Sequence, residues 1–121
     1  MATEQNLTTI SLEAGSDLSA KQYFFVSVAA DGQVDATGDG AMADGVLQND
    51  PSAAGAAATV GIGGVTKVEC GGTVTRGGTV SSDADGAAVD SATGDIILGT
   101  ALETGAAGEI ISMIFHPRGA A

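Results

Sequence analysis

Four groups of residues have types and spacing that would do chemistry. Gly61-Ile-Gly63-Gly64-Val-Thr-Lys67 looks like a glycine-rich phosphate loop, in which backbone N–H groups and a lysine cradle phosphate oxygens. A loop of that kind begun at Gly61 needs glycine at position 66, where the chain carries Thr66. The same threonine takes the place of the third glycine in the dinucleotide pattern, and no helix follows to aim its N-terminus at a phosphate. Asp83-Ala-Asp85-Gly86 opens like a calcium loop, and Asp39, Asp44 and Asp50 cluster in a similar way. The calcium spacing then calls for glycine and a bidentate glutamate at positions where the chain has Ala88 and Gly94. Turn-forming aspartates account better for both clusters.

His116 is the single histidine and Cys70 the single cysteine. Ser-His or Cys-His catalysis would therefore run through one residue beside Pro117, and a transition-metal set is out of reach. One cysteine also excludes an intrachain disulfide, so Cys70 reads as a small buried residue. Paired carboxylates for glycoside chemistry usually sit in a cleft lined by aromatic residues, and the chain has no tryptophan. The residues therefore assign no catalytic, cofactor-binding or metal-ligating position, and the chain reads as something other than an enzyme.

The composition narrows the partners. Fifteen acidic residues against four basic ones give a formal net charge of -11. Nucleic acid needs several Lys or Arg contacts to phosphate, and an anionic membrane surface needs a basic patch, so neither is an expected partner. The N-terminal residues lack a basic region followed by an apolar run, which points to synthesis in a cytoplasm and residence there unless the protein is carried out in something larger. At 121 residues with uniform texture the chain reads as one domain. Only 3% of residues are aromatic and 19 are glycine. The core is therefore expected to be thin, and part of the stability to come from surface buried against other subunits.

The elements are short runs of Val, Ile and Thr ended by Gly or Asp-Gly, the pattern of half-buried strands joined by tight turns. The fold class is all-β, a small single-domain β-barrel or compact β-sandwich. Residues 1–12 read as an N-terminal arm and first strand, 22–115 as the β core and 116–121 as a loose tail. Residues 16–19 fit a capped helical turn or a loop equally well. Residues 23–28 read as the best-buried strand. Asp31-Gly32 closes a hairpin onto residues 33–36 because that dipeptide tolerates positive φ. The last strand, 109–115, is expected to stop at His116-Pro117, since proline cannot donate to a ladder.

A two-unit internal repeat runs through this pattern. Asp31-Gly32 has a twin 54 residues on in Asp85-Gly86, Thr37-Gly38-Asp39 has one 56 on in Thr93-Gly94-Asp95, and Gly45 has one 54 on in Gly99. Two similar units packed around a pseudo-two-fold are expected, since a solenoid would need three or more.

Several segments in order carry a family resemblance: Asp17-Leu-Ser-Ala-Lys-Gln-Tyr23-Phe-Phe-Val, Asp31-Gly32, Gly45-Val-Leu-Gln-Asn, Gly64-Val-Thr-Lys-Val, Val80-Ser-Ser-Asp-Ala-Asp-Gly86, Gly94-Asp-Ile-Ile-Leu-Gly-Thr-Ala-Leu-Glu and Gly108-Glu-Ile-Ile-Ser. Together they resemble the head decoration, or capsid cement, proteins of tailed bacteriophages. Some members are labelled RecA-like recombinases, a label that the missing phosphate-loop spacing argues against here. The resemblance implies a non-enzymatic virion protein on the outer surface of the head, bound as a homotrimer to the major capsid protein and stabilising the capsid by bridging its subunits. The segment expected to reach the capsid is the arm, Ala2, Thr3, Glu4, Gln5, Asn6, Leu7, Thr8, Thr9 and Ile10, because an extended segment can add a strand to a sheet edge. The competing expectation is a receptor- or glycan-binding head-fibre module, which would need exposed aromatics at a loop tip.

Overall fold

A computed structural model describes residues 6–121. Within them the strands are β1 (Leu7–Ala14), β2 (Phe25–Val28), β3 (Gln33–Ala36), β4 (Gly45–Leu47), β5 (Ala57–Glu69), β6 (Thr79–Ser82), β7 (Ala88–Asp90), β8 (Ile96–Ala101) and β9 (Ile110–Ala120). The fold is all-β. The sheet order is β1-β3-β2-β4-β5-β9-β8-β6-β7, with a further pairing of β1 to β5.

That extra pairing closes a barrel. β1 lies antiparallel to β5 from Leu7↔Gly64 to Glu13↔Ala57 and parallel to β3 at Ala14↔Val34, so β1-β3-β2-β4-β5 is a five-stranded ring. The second ring repeats the pattern, with the remaining length of β5 standing where β1 stood. Its residues 64–69 pair antiparallel with β9, then come β8, β6 and β7, and a parallel bridge Cys70↔Ala88 closes the circle. One strand thus ends the first barrel and begins the second.

The repeat expected from the sequence holds at the level of single bonds, except that Thr37 corresponds to Ser91, 54 residues on, and not to Thr93. Val26↔Ala36 is matched 54 residues on by Val80↔Asp90, and Val26↔Gly45 by Val80↔Gly99. The Ser27 hydroxyl meets Thr37 Oγ1 and donates to the Met42 carbonyl; the Ser81 hydroxyl meets Ser91 Oγ and donates to the Ile96 carbonyl. The repeat also begins earlier than the sequence pattern suggested. Leu12-Glu13-Ala14-Gly15 corresponds to Val68-Glu69-Cys70-Gly71, where Gly15 and Gly71 donate to the carbonyls of Val34 and Ala88.

Each barrel is filled from alternate positions of its strands, as a half-buried pleated surface requires. The first core holds Ala14, Leu18, Val26, Val34, Leu47, Ala58 and Val60. The corresponding residues of the second are Cys70, Val74, Val80, Ala88, Ala101, Ile111 and Met113. Volume lost at Val34→Ala88 and Leu47→Ala101 is regained at Ala58→Ile111 and Val60→Met113. That is how a core of fixed shape tolerates a different filling. Each large apolar side chain so buried stabilises the fold by roughly 1.5–3 kcal/mol.

The two barrels do not meet about a two-fold. On the outer wall of the first, Phe25 and Val46 are fully buried in the second barrel's core cluster, with the Phe25 and Phe115 rings 6.3 Å apart. Their counterparts on the second barrel, Thr79 and Thr100, are half-exposed. A two-fold would bury both walls alike. The packing is head-to-tail: the second barrel covers the first, and within the described residues nothing covers the second in the same way.

Two expected boundaries shift, and one open reading is decided. β2 starts at Phe25 because Tyr23 sits at φ 68°, a left-handed conformation that cannot continue a ladder. Residues 16–19 form a loop, in which an Asp17 carboxylate oxygen accepts the Ser19 backbone N–H at 2.9 Å. Residues 116–120 of the expected tail 116–121 are strand, since β9 runs through Pro117 to Ala120. The pairs Gly99↔Phe115 and Ile97↔Arg118 leave His116 and Pro117 opposite Leu98 alone, a bulge, and the β5 ladder has already ended at Phe115. A proline in a bulge with one side unpaired loses no ladder bond.

Glycines at corresponding places separate two kinds of demand. A Cβ on Gly99 would collide with the Ile114 carbonyl oxygen, as one on Gly45 would with that of Gly61, while one on Gly77 would meet nothing. Gly77 is instead held at φ 78°. Gly77→Ala is expected to cost about 1 kcal/mol, the left-handed penalty alone. Gly99→Ala is expected to cost more than about 2 kcal/mol because backbone must move. Thermal unfolding of the two variants checks the order.

Candidate attachment surface

Of the aspartates that could have formed a site, Asp44 and Asp83 are engaged in holding turns, as are Asp90 and Glu103 elsewhere. Asp83 Oδ1 accepts the backbone N–H groups of Asp85 (2.8 Å) and Ala87 (2.9 Å), which closes the β6–β7 hairpin. Asp90 binds both the N–H and the hydroxyl of Thr75, and Asp44 Oδ2 accepts from Val28 N–H at 2.7 Å. Glu103 Oε1 accepts the Ser112 N–H, just as Asn49 Oδ1 accepts that of Thr59 at the matching place in the first barrel. The local rule is that a carboxylate next to a turn satisfies backbone donors that the ladder leaves over. Among the described residues no group of three or more His, Cys, Asp or Glu is placed to hold a metal ion.

The remaining chemical candidates are likewise structural. Gly61 to Lys67 lies inside β5, so its N–H groups serve a ladder and not a phosphate cradle. Cys70 is buried at the closing bridge of the second barrel. Burial pushes its thiol pKa up, helped by the negative charges of Glu109, Glu69 and Asp90, so the nucleophilic thiolate is suppressed there. His116 is exposed on β9.

The arm divides into two parts. Ala2, Thr3, Glu4 and Gln5 lie outside the described residues. Asn6 accepts the Val65 N–H through its carbonyl, and Leu7, Thr8, Thr9 and Ile10 belong to the barrel wall through β5. This stretch is a wall strand and not a free arm. Among the described residues its other side meets β3 only at Glu13 and Ala14, which leaves the edge along residues 7–12 unpaired within them, with Thr8, Thr9 and Ile10 exposed. An unpaired edge of this length is a template for an incoming strand.

A second surface was not legible in the sequence. On the outer wall of the second barrel Ile110 is 50% exposed and Ile114 and Leu102 are each 40% exposed. Ile110 and Ile114 flank Ser112 along β9, Leu102 donates to the Ser112 carbonyl, and Lys67 lies across from Ser112 on β5. The Arg118 guanidinium reaches Thr100 Oγ1 beside Ile114 at 2.9 Å. In the sequence residues 109–115 read as a covered strand; only the register shows that one face of it is bare.

No protein-family model matches the sequence, and no curated protein matches it either. Among solved structures the chain is similar to the N base of head fiber gp8.5 in bacteriophage phi29, at a TM-score of 0.70 and 18% identity, over 92% of this chain and 95% of that one. The two share a fold. At that identity the likeness extends to architecture, and it spans both barrels because nearly all of each chain is covered.

One carboxylate reports its turn directly. Hydrogen bonds from the Ser19 hydroxyl and Ser19 N–H hold the Asp17 carboxyl below its ordinary range. A lowered carboxyl pKa favours the folded state above the unfolded value of about 3.9 and loses that effect as pH falls through the folded one. In an NMR titration Asp17 is expected to titrate below about 3.9, and Ser19→Ala to move it back up.

Proposed function

We propose that this chain is a structural protein of a phage virion, bound to the outer surface of the head, where it stabilises the capsid by bridging major capsid subunits. The observation that carries the reading is the end-to-end likeness in fold to a phage head-fiber base. The order of sequence segments that resembles capsid cement proteins supports it independently. The charge agrees, since a protein at -11 is repelled by packaged DNA and suits the outside of a shell.

The mechanism is linkage. A protein that binds the assembled lattice and not its dispersed subunits stabilises the lattice by its binding free energy, about 2.7 kcal/mol per site at a hundredfold excess over Kd. Many equivalent sites multiply that term. In this reading three copies act together, and residues 2–10 reach the major capsid protein, with the unpaired edge of β1 offering backbone donors and acceptors to it.

The competing role is a receptor- or glycan-binding fibre module, to which the likeness to part of a head fiber also lends support. That the likeness is to the fiber's N base favours attachment. A glycan array separates the two.

Purified protein mixed with heads stripped of their outer proteins is expected to cosediment with them and to raise the temperature at which they release DNA. Deleting residues 2–6 is expected to weaken cosedimentation by about tenfold or more, as loss of a strand-adding segment should. Full attachment by the truncated chain would move the contact elsewhere, and no attachment by the intact chain would end the capsid reading.

A further inference from the structure

The repeat supplies an internal control for the exposed residues. In the first barrel the outer wall carries Gln48, Ala57, Thr59 and Gly61; at the same places the second carries Leu102, Ile110, Ser112 and Ile114. The backbone bonds are the same, since Gln48 donates to the Thr59 carbonyl as Leu102 donates to that of Ser112. The barrel therefore does not need isoleucine there. The first wall is covered within the chain along one side: Gly61 is buried, Gln48 and Thr59 are half-buried, and Val46 and Phe25 lie under the second barrel, while Ala57, the counterpart of Ile110, is exposed at its rim. Among the described residues nothing covers the second wall.

The residues that do the covering have counterparts too. Phe115 packs against Phe25, and the Thr66 hydroxyl accepts a hydrogen bond from Gln48 Nε2 at 2.8 Å. Both are 3% exposed. Their counterparts at the mouth of the first barrel are Ile62 and Ile10, which are 38% and 40% exposed. The contact made once inside the chain thus has both of its halves left over, an apolar mouth on the first barrel and an apolar wall on the second. Large apolar side chains at both places mark surfaces that another molecule covers.

We infer that a second copy of this chain covers the wall formed by Leu102, Ile110 and Ile114 with the first-barrel mouth formed by Ile10 and Ile62, repeating between molecules the head-to-tail contact that joins the two barrels within one. The repeat supports a second copy as the occupant, because the wall and the mouth left over on one chain correspond to the two halves of the contact already made between its barrels. Such a contact is heterologous, joining two different surfaces, and it gives a discrete assembly only if it closes into a ring. The inference rests on the self-association in the reading above and not on attachment to a head.

The test uses the full chain and light scattering after size exclusion, with circular dichroism to confirm folding. The unaltered protein is expected at a discrete multiple of 11.7 kDa. Ile114→Lys in the wall and Ile62→Lys in the mouth are each expected to raise the dissociation constant by about tenfold or more. An equimolar mixture of the two is expected to recover dimers, because each variant retains the surface the other lacks. Leu102→Gln with Ile110→Ala, which installs what the first barrel carries, guards against misfolding and is expected to act like Ile114→Lys. An unaltered chain that is monomeric throughout would overturn the inference together with self-association. Wall and mouth variants that keep the full mass would overturn the inference alone. A wall variant that keeps its mass but no longer cosediments with stripped heads would assign the wall to the shell and overturn it as well.

Discussion

The structure depends on one strand meeting two closure requirements. A five-stranded barrel removes its edges only when first and last strands pair. Here the last strand of one ring and the first of the next are successive lengths of β5. Every other feature follows from that economy: the spacing of the repeat, the opposite faces filled by alternate residues, and the fixed placement of the second barrel against the first. The bulge at Thr8/Thr9, opposite Ile62, lies near the point where the strand passes from one ring to the other.

Sharing a strand also explains why duplicate units end in unlike surroundings. Each unit presents a wall and a mouth, but the chain provides only one junction between them. The residues at that junction match their surroundings: Phe25 and Val46 where the wall is covered, Thr79 and Thr100 where it is not. The isoleucines of β9 break this rule, and that departure gives them meaning.

Much of the fold was legible in the residues. Val, Ile and Thr runs with Asp-Gly and Gly stops located most strands. Asp31-Gly32 adopts positive φ at both positions, as its hairpin requires. Three misreadings share a cause. Gly63-Gly64 looks like punctuation, yet the ladder runs through it. Pro117 looks like a stop, yet it occupies a bulge where no donor is missed. Leu12 to Gly15 did not register as a repeat of Val68 to Gly71 because the intervening loop differs by two residues, which shifts the offset from 54 to 56. Local signals describe what a residue prefers, and pairing across the sheet decides which preferences are exercised. The arm was placed by analogy, and its strand character beyond Asn6 was readable, but the ladder that ties it to the wall joins residues more than forty positions apart and left no mark in its own composition.

The shared strand has a mechanical meaning. A force that draws the two barrels apart along β5 acts on the seven pairs joining it to β1 and the six joining it to β9. Antiparallel bonds lie perpendicular to the strands, so such a load slides whole ladders at once and does not unzip them bond by bond. The molecule is built to resist tension along one axis.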